Sequence, residues 1–171
     1  MPNHHATEDY LAASGTAYTS LRNGFYANFV PRPIWQALTS GVLMAPADGL
    51  VSWTTHPDLA EAAAAILAEP GKLDGPTPPL TAADALDLDD IASIVSDLTG
   101  RTIKRVVADD AEFVAGMVGA GVPQARADMM LGMFLASRNG EFSATDSALA
   151  DILGRPATTL RAYLGEVLAT D

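Results

Sequence analysis

The stretch Tyr18-Thr19-Ser20-Leu21-Arg22-Asn23-Gly24-Phe25-Tyr26-Ala27-Asn28-Phe29 decides how the chain is read. In front of it, Ala6 to Ser14 has helical spacing, with Thr7, Tyr10, Leu11 and Ser14 on one face and Ser14-Gly15 as a stop. Ala17 to Leu21 reads as a strand on its β-prone Tyr18 and Thr19, and a Gly-containing turn leads into a further apolar segment. Helix, strand, turn and helix in that order make an α/β unit, and ligands of such units sit at the C-terminal ends of strands. Arg22 to Tyr26 is therefore the first place to look for function.

Working outward, Pro31 and Pro33 divide the apolar run from Phe25 to Leu38 into a short helical turn, a break, and a helix around Ile34 to Thr39 closed by Gly41. Val42 to Met44 and Leu50 to Thr54 are short strand or loop runs around the turn Pro46-Ala47-Asp48-Gly49. The cleanest helix follows: Thr55 and Asp58 have capping-box spacing, and Leu59, Ala62, Ala63, Ile66 and Leu67 recur at one-face intervals until Glu69-Pro70-Gly71. Gly75-Pro76-Thr77-Pro78-Pro79 is linker-like, and a boundary near it divides residues 1–70 from residues 71–171. Beyond it, Leu80-Thr81 is a strand candidate, and Asp87 caps a helix bearing Ile91, Ile94, Val95 and Leu98. Thr102 to Val107 is a further strand, Asp109 with Glu112 starts a helix, and Pro123 opens another that bears Met129, Met130, Met133 and Phe134. Two apolar patterns, at Leu149 to Leu153 and Leu160 to Leu168, end the chain as helices.

The 171 residues are 49% hydrophobic and 18% charged, a globular composition. No apolar run is long enough to span a bilayer, and Met1 to His5 lacks the pattern of a secretory leader, so a soluble cytoplasmic protein without a membrane partner is expected. Zero cysteines exclude a disulfide framework, a thiol nucleophile and a thiolate zinc site. A net charge of −11 argues against a nucleic-acid partner, because phosphate binding needs clustered Lys and Arg. His4-His5 makes no metal site, since adjacent side chains diverge and no third ligand is fixed by spacing. Gly116-Met117-Val118-Gly119-Ala120-Gly121 looks like a nucleotide-binding turn, but it lies at the end of an amphipathic pattern with no strand before it, so it reads as helix termination.

Several segments carry a resemblance. His4-His5-Ala6-Thr7-Glu8, Tyr10 to Gly15 and Ala17 to Tyr26 resemble the middle of NmrA-like proteins, atypical short-chain dehydrogenase/reductases, in particular the NAD(P)H:quinone oxidoreductase type 2 group. Thr54 to Ala62, Leu98-Thr99-Gly100-Arg101 and Leu153 to Leu160 extend the likeness over nearly the whole chain. The resemblance implies an α/β fold: the second half of a Rossmann-type NAD(P)-binding parallel sheet over residues 1–70, then a mostly helical substrate-side subdomain over residues 71–171. It begins partway through the family's fold, and no strand–glycine–helix sequence precedes Gly15. The Gly-rich half, about three βα units of ~30 residues each, is accordingly expected to be missing. A strand left without its neighbours exposes backbone groups, so self-association of the chain is expected.

The resemblance also places chemistry. It implies an NAD(P)H-dependent oxidoreductase acting on a quinone-like small molecule, with NADP or NAD bound in the full-length protein and neither bound by this chain alone. His4 stands where reductases of the superfamily carry a Lys, and an imidazole there would act as a general acid near neutral pH. Asn23, Gly24 and Phe25 would lie beside the nicotinamide, with Tyr26, Trp53, Phe134 and Arg138 around the acceptor. None of the tyrosines Tyr10, Tyr18, Tyr26 and Tyr163 has a Lys four residues later, so the usual short-chain dehydrogenase pair is absent. That departure keeps open a non-catalytic NmrA-like regulator or partner-binding module.

Overall fold

Thr55 starts the helix that organises the middle of the chain: its hydroxyl accepts from the Asp58 N–H, and α3 then runs His56–Ala68. The computed structural model describes residues 2–69, 71 and 73–169; Pro70 of the expected stop lies outside them. Ahead of α3 come α1 (Pro2–Ser14), β1 (Thr19–Ser20), β2 (Phe25–Tyr26), a 3-10 turn (Ala27–Phe29), α2 (Pro31–Ser40), β3 (Val42–Pro46) and β4 (Trp53–Thr54). After it come β5 (Gly75–Pro76), α4 (Leu88–Thr99), β6 (Lys104–Ala108), α5 (Asp110–Gly119), α6 (Gln124–Arg138), α7 (Ala148–Leu153) and α8 (Leu160–Ala169). Among the described residues no helix is long and apolar enough to cross a membrane.

The architecture is α/β, with helices around three parallel strand pairs: β1 with β5, β2 with β4, and β3 with β6. Phe25 pairs with Trp53 and Tyr26 with Thr54, while Val42 to Pro46 lie in register with Lys104 to Ala108. Residues from both ends of the sequence share the main core: Ala27, Val30, Ile34 and Leu43 pack with Leu88, Ile91, Val95, Leu160 and Leu164. A second cluster joins Leu59 and Ala62 of α3 to Leu80 and Leu149. Burying these aliphatic side chains stabilises the fold by roughly 1.5–3 kcal/mol each.

Local chemistry accounts for most boundaries. Asp87 and Asp90 form a reciprocal capping box at α4, Asp109 accepts from the Ala111 and Glu112 N–H groups at α5, and Gly41, Gly100 and Gly154 take the left-handed conformation that ends α2, α4 and α7. The Gly116 to Gly121 cluster is the end of α5, as its pattern indicates, with Gly121 at φ 87° just beyond.

Four readings change. α2 begins at Pro31 rather than near Ile34, because both prolines fall in the first turn, where a missing N–H breaks no bond. The strand read over Ala17 to Leu21 pairs only at Thr19–Ser20, its partner being equally short. The strand candidate Leu80-Thr81 is reduced to a single bridge between Asn23 and Leu80. The Gly75 to Pro79 stretch hydrogen-bonds in place: Gly75 N–H donates to the Tyr18 carbonyl, Thr77 N–H to the Ser20 carbonyl, and the Thr77 hydroxyl accepts from Arg22 N–H. Pro76 and Pro78 occupy the alternate positions, which face away from β1, so their missing N–H groups cost nothing there.

Candidate functional site

β2 and β4 end side by side, and their ends carry the aromatic residues. The Phe25 ring lies 5.5 Å from Phe29, 5.5 Å from Trp53 edge-on, and 4.6 Å from Phe142. Trp53 is fixed by its indole N–H, which donates to the Leu86 carbonyl at 2.9 Å, and Phe142 by its carbonyl, which accepts from Ser52 N–H at 2.8 Å. Tyr26 turns the other way and stacks on His56 at 4.6 Å and 28°. Edge-to-face and offset rings of this kind favour each other beyond simple burial. The strand ends thus present a half-buried aromatic group with an exposed flank at Phe29.

Gly24 is demanded by packing. A Cβ there would sit 2.5 Å from the Thr54 hydroxyl and 3.1 Å from the Leu80 carbonyl oxygen. Thr54 cannot yield, because its buried hydroxyl accepts from Ala82 N–H and donates to the Ser52 carbonyl. Asn23, one residue earlier, is exposed; Gly24 N–H and the Arg22 carbonyl make the bonds to Leu80, so the peptide groups of Asn23 point to the other edge. Arg22 fixes the approach to this strand end. Its guanidinium holds Glu8 of α1 at 3.0 and 2.6 Å, and with Ser20 these bonds lower the Glu8 pKa to about 2.

Two of the remaining residues singled out in the sequence, Phe134 and Arg138, are already engaged. His4 is exposed in the first turn of α1. Phe134 meets Phe113 edge-on at 5.5 Å and packs on the main core. Arg138 donates to the Ala47 carbonyl and takes both oxygens of Asp110, which holds that carboxyl below its usual range. Among the described residues no group of three His, Asp or Glu side chains is placed to hold a metal. Phe142 was missed in the sequence, since a lone Phe in a loop carries no pattern. His56 was read as part of a helix start, and its ring contact with Tyr26 is a tertiary fact that periodicity does not encode.

No family model matches the chain. It is 32% identical over 158 residues to quinone oxidoreductase 2 of Escherichia coli strain K12, a match covering 92% of this chain and 55% of that protein. An NmrA-like family domain-containing oxidoreductase of Aspergillus flavus is 31% identical over 157 residues, covering 89% of this chain and 50% of the relative. The solved structure of the E. coli NADPH-dependent quinone oxidoreductase complexed with NADPH superposes with a TM-score of 0.87 at 30% identity, over 97% of this chain and 58% of that one.

The chain is similar to NmrA-like oxidoreductases over most of its length. It spans about half the length of the curated relatives it matches. The fold of the NmrA-like chain is that of the Rossmann-like quinone reductase structures, as the resemblance of Ala17 to Tyr26 implies.

Proposed function

We propose that this NmrA-like chain is the substrate-side portion of an NAD(P)H-dependent oxidoreductase whose acceptor is a flat, quinone-like molecule. The observation that carries the reading is the match to quinone oxidoreductase 2 across 92% of the chain, joined to the aromatic group at the ends of β2 and β4. Residues 1–70 belong to the nucleotide-binding side in this proposal and residues 71–171 to the substrate side.

The residues present fit one contact with a nicotinamide. Asn23 is exposed, with outward-facing peptide groups and a side-chain amide, so it can hydrogen-bond a polar ring substituent, while Phe25 offers a flat apolar neighbour. Gly24 serves that contact by setting the strand end against Thr54. The cofactor, NADP or NAD, supplies the hydride when bound. In this proposal His4 donates the proton to the reduced acceptor, and Trp53 and Tyr26 approach it from the two faces of the strand pair, Trp53 beside Phe25 and Tyr26 against His56. Phe134 and Arg138 act one step back: Arg138 pins the turn at Ala47 to the start of α5, which keeps the loop leading into β4 in place. By itself the chain binds no dinucleotide and associates with a second copy; it acts in the cytoplasm, away from nucleic acid and membrane.

A second reading, a non-catalytic NmrA-like partner-binding module, is favoured by one observation, the absence of any tyrosine with a lysine four residues on. A chimera separates the two, with this chain replacing the matching segment of E. coli quinone oxidoreductase 2. NADPH-dependent quinone turnover is expected, falling about tenfold in Phe25→Ala and in His4→Gln, a loss of about 1.4 kcal/mol of transition-state stabilisation. A folded chimera that binds NADPH and reduces no quinone sinks the enzyme reading and leaves the module.

A further inference from the structure

At the C-terminal ends of β2 and β4 two rings lie face to face. Tyr26 pairs in the ladder with Thr54, and two residues further on, as the first residue of α3, His56 lays its imidazole on the Tyr26 ring at 4.6 Å and 28°. Tyr26 is half-buried and packs on the second apolar cluster, that of Leu59, Ala62, Leu80 and Leu149, while His56 is exposed. Stacking engages the faces of the rings. The phenol hydroxyl and the imidazole nitrogens lie in the ring planes, so the stack fixes both side chains without using their hydrogen-bonding atoms.

The helix start that carries His56 is held more firmly than capping requires. The Thr55 hydroxyl already caps α3 by accepting from Asp58 N–H. The Asp58 carboxylate, 1% exposed, then accepts four hydrogen bonds: from the Thr55 hydroxyl at 2.9 Å, Thr158 N–H at 2.7 Å, the Thr158 hydroxyl at 3.2 Å and the Arg155 guanidinium at 2.8 Å. Arg155 also donates to Glu61, one turn along α3, and Ala157 of the same loop packs on the cluster that supports Tyr26. The loop between α7 and α8 thus clamps the first turn of α3 from 97 to 100 residues away. A carboxylate sealed inside with all its acceptor sites engaged resists displacement, because freeing any donor leaves it unpaired in the interior. Every group that sets His56 against Tyr26 is supplied by this chain.

Resting on the proposed reading that a flat, quinone-like acceptor lies at these strand ends, we infer that His56 is an acceptor-contacting residue: its ring N–H, beside the Tyr26 hydroxyl, clamps one oxygen of the acceptor. Rings 4.6 Å apart can present their donors to a single oxygen, whose two lone pairs take one hydrogen bond each. An imidazole carries at least one N–H whether neutral or charged, so the clamp does not depend on its protonation. When hydride adds to a quinone an electron pair moves onto a ring oxygen, and donors already fixed on that oxygen stabilise the charge as it develops. The clamp supplies neither hydride nor proton; in the proposed reading the first comes from the cofactor and the second from His4.

The test has two readouts: NADPH-dependent reduction of 1,4-naphthoquinone by the chimera with E. coli quinone oxidoreductase 2, and the imidazole resonances of the 171-residue chain titrated with the same quinone. The histidines, His4, His5 and His56, are told apart by their single variants. The His56 resonances are expected to move with quinone. In the chimera, kcat/KM should fall about tenfold in His56→Ala, ~1.4 kcal/mol, mostly through kcat, and return to within about threefold of the parent in His56→Gln, whose amide keeps an N–H donor. His56 is on the surface and outside the Thr55–Asp58 cap, so its variants keep the fold. His5→Ala, at an exposed imidazole 3.9 Å from Asp9 on α1, should leave turnover and the His56 shift unchanged. Turnover that is equal in the parent and in His56→Ala overturns the inference and leaves the oxidoreductase reading standing. Equal losses in the alanine and glutamine variants make His56 a packing residue and also overturn it. No turnover and no movement of His56 overturns both, whereas no turnover with a quinone-dependent shift of His56 overturns the reduction and keeps the contact.

Discussion

The β3–β6 pair and the β1–β5 pair are both parallel and both two-stranded, yet they are held by opposite means. β3–β6 runs five residues in register, with Leu43, Ala45 and Pro46 buried. At its C-terminal end a guanidinium is sealed inside: Arg105, with its side chain 4% exposed, donates to the carbonyls of Ala45, Pro46 and Val106 and to Asp48. Asp48 in turn accepts from Leu88 N–H and so sets the first turn of α4. β1–β5 has two paired residues and a half-exposed ion pair between Arg22 and Glu8. The first pair is tied down by a charge sealed inside the chain and the second by one near its surface, and the candidate site at Asn23 to Tyr26 continues directly from the second.

Removing the buried carboxylate tests the first half of that contrast most severely. Asp48→Ala leaves Arg105 with carbonyl partners alone, although its Nε already has no hydrogen-bond partner, and it also strips the Leu88 N–H of its acceptor. Breaking one side of a buried pair costs about 3–5 kcal/mol, and a loss of about 4 kcal/mol is expected by denaturant unfolding. A loss below about 1 kcal/mol would mean that the three carbonyls satisfy the guanidinium without the acid.

Gly24→Ala tests the second half, where the strand end meets β4. The added methyl falls 2.5 Å from a hydroxyl committed on both sides, so β2 must shift or the Thr54 bonds must break. Overpacking of this kind costs about 2 kcal/mol. Unchanged stability in the alanine variant would show that β2 shifts freely and that the glycine is present for another reason, such as a ligand.

Much of this was legible. Thr55 with Asp58, Asp87, and the glycines after α2 and α4 are local signals with fixed offsets, and they place α3, α4 and the end of α2 to within a residue or two. The α/β order around Tyr18 to Tyr26 likewise put attention on a real junction of strand ends. What failed depended on partners far along the chain. Thr7, Tyr10, Leu11 and Ser14 mark one face of α1 by spacing, yet Tyr10 is 77% exposed, while Glu8 of that helix is buried and held by Arg22 and Ser20. The stretch Gly75 to Pro79 has a linker's composition, but alternate residues suffice to bond a short strand. The partners of Arg138, an aspartate and a carbonyl, are likewise ones that no spacing rule supplies.

The smallest expected effect, and the most diagnostic of how α1 is tied to the β1–β5 pair, is a pH dependence. Hydrogen bonds from Arg22 and Ser20 lower the Glu8 pKa from 4.5 to about 2. The folded state therefore prefers the carboxylate, and a depressed acid stabilises at pH values above its unfolded pKa. Its contribution is complete above about pH 4.5, fades as pH falls from there toward 2, and is gone below that. Denaturation midpoints of the chain and of Glu8→Gln, followed from pH 6 downward, should differ by a constant amount near neutrality and converge as pH approaches 2. Other acids, Asp58 and Asp110 among them, titrate in both proteins and cancel in the difference. A gap that keeps its size through the acid range would show that Glu8 holds α1 by shape alone.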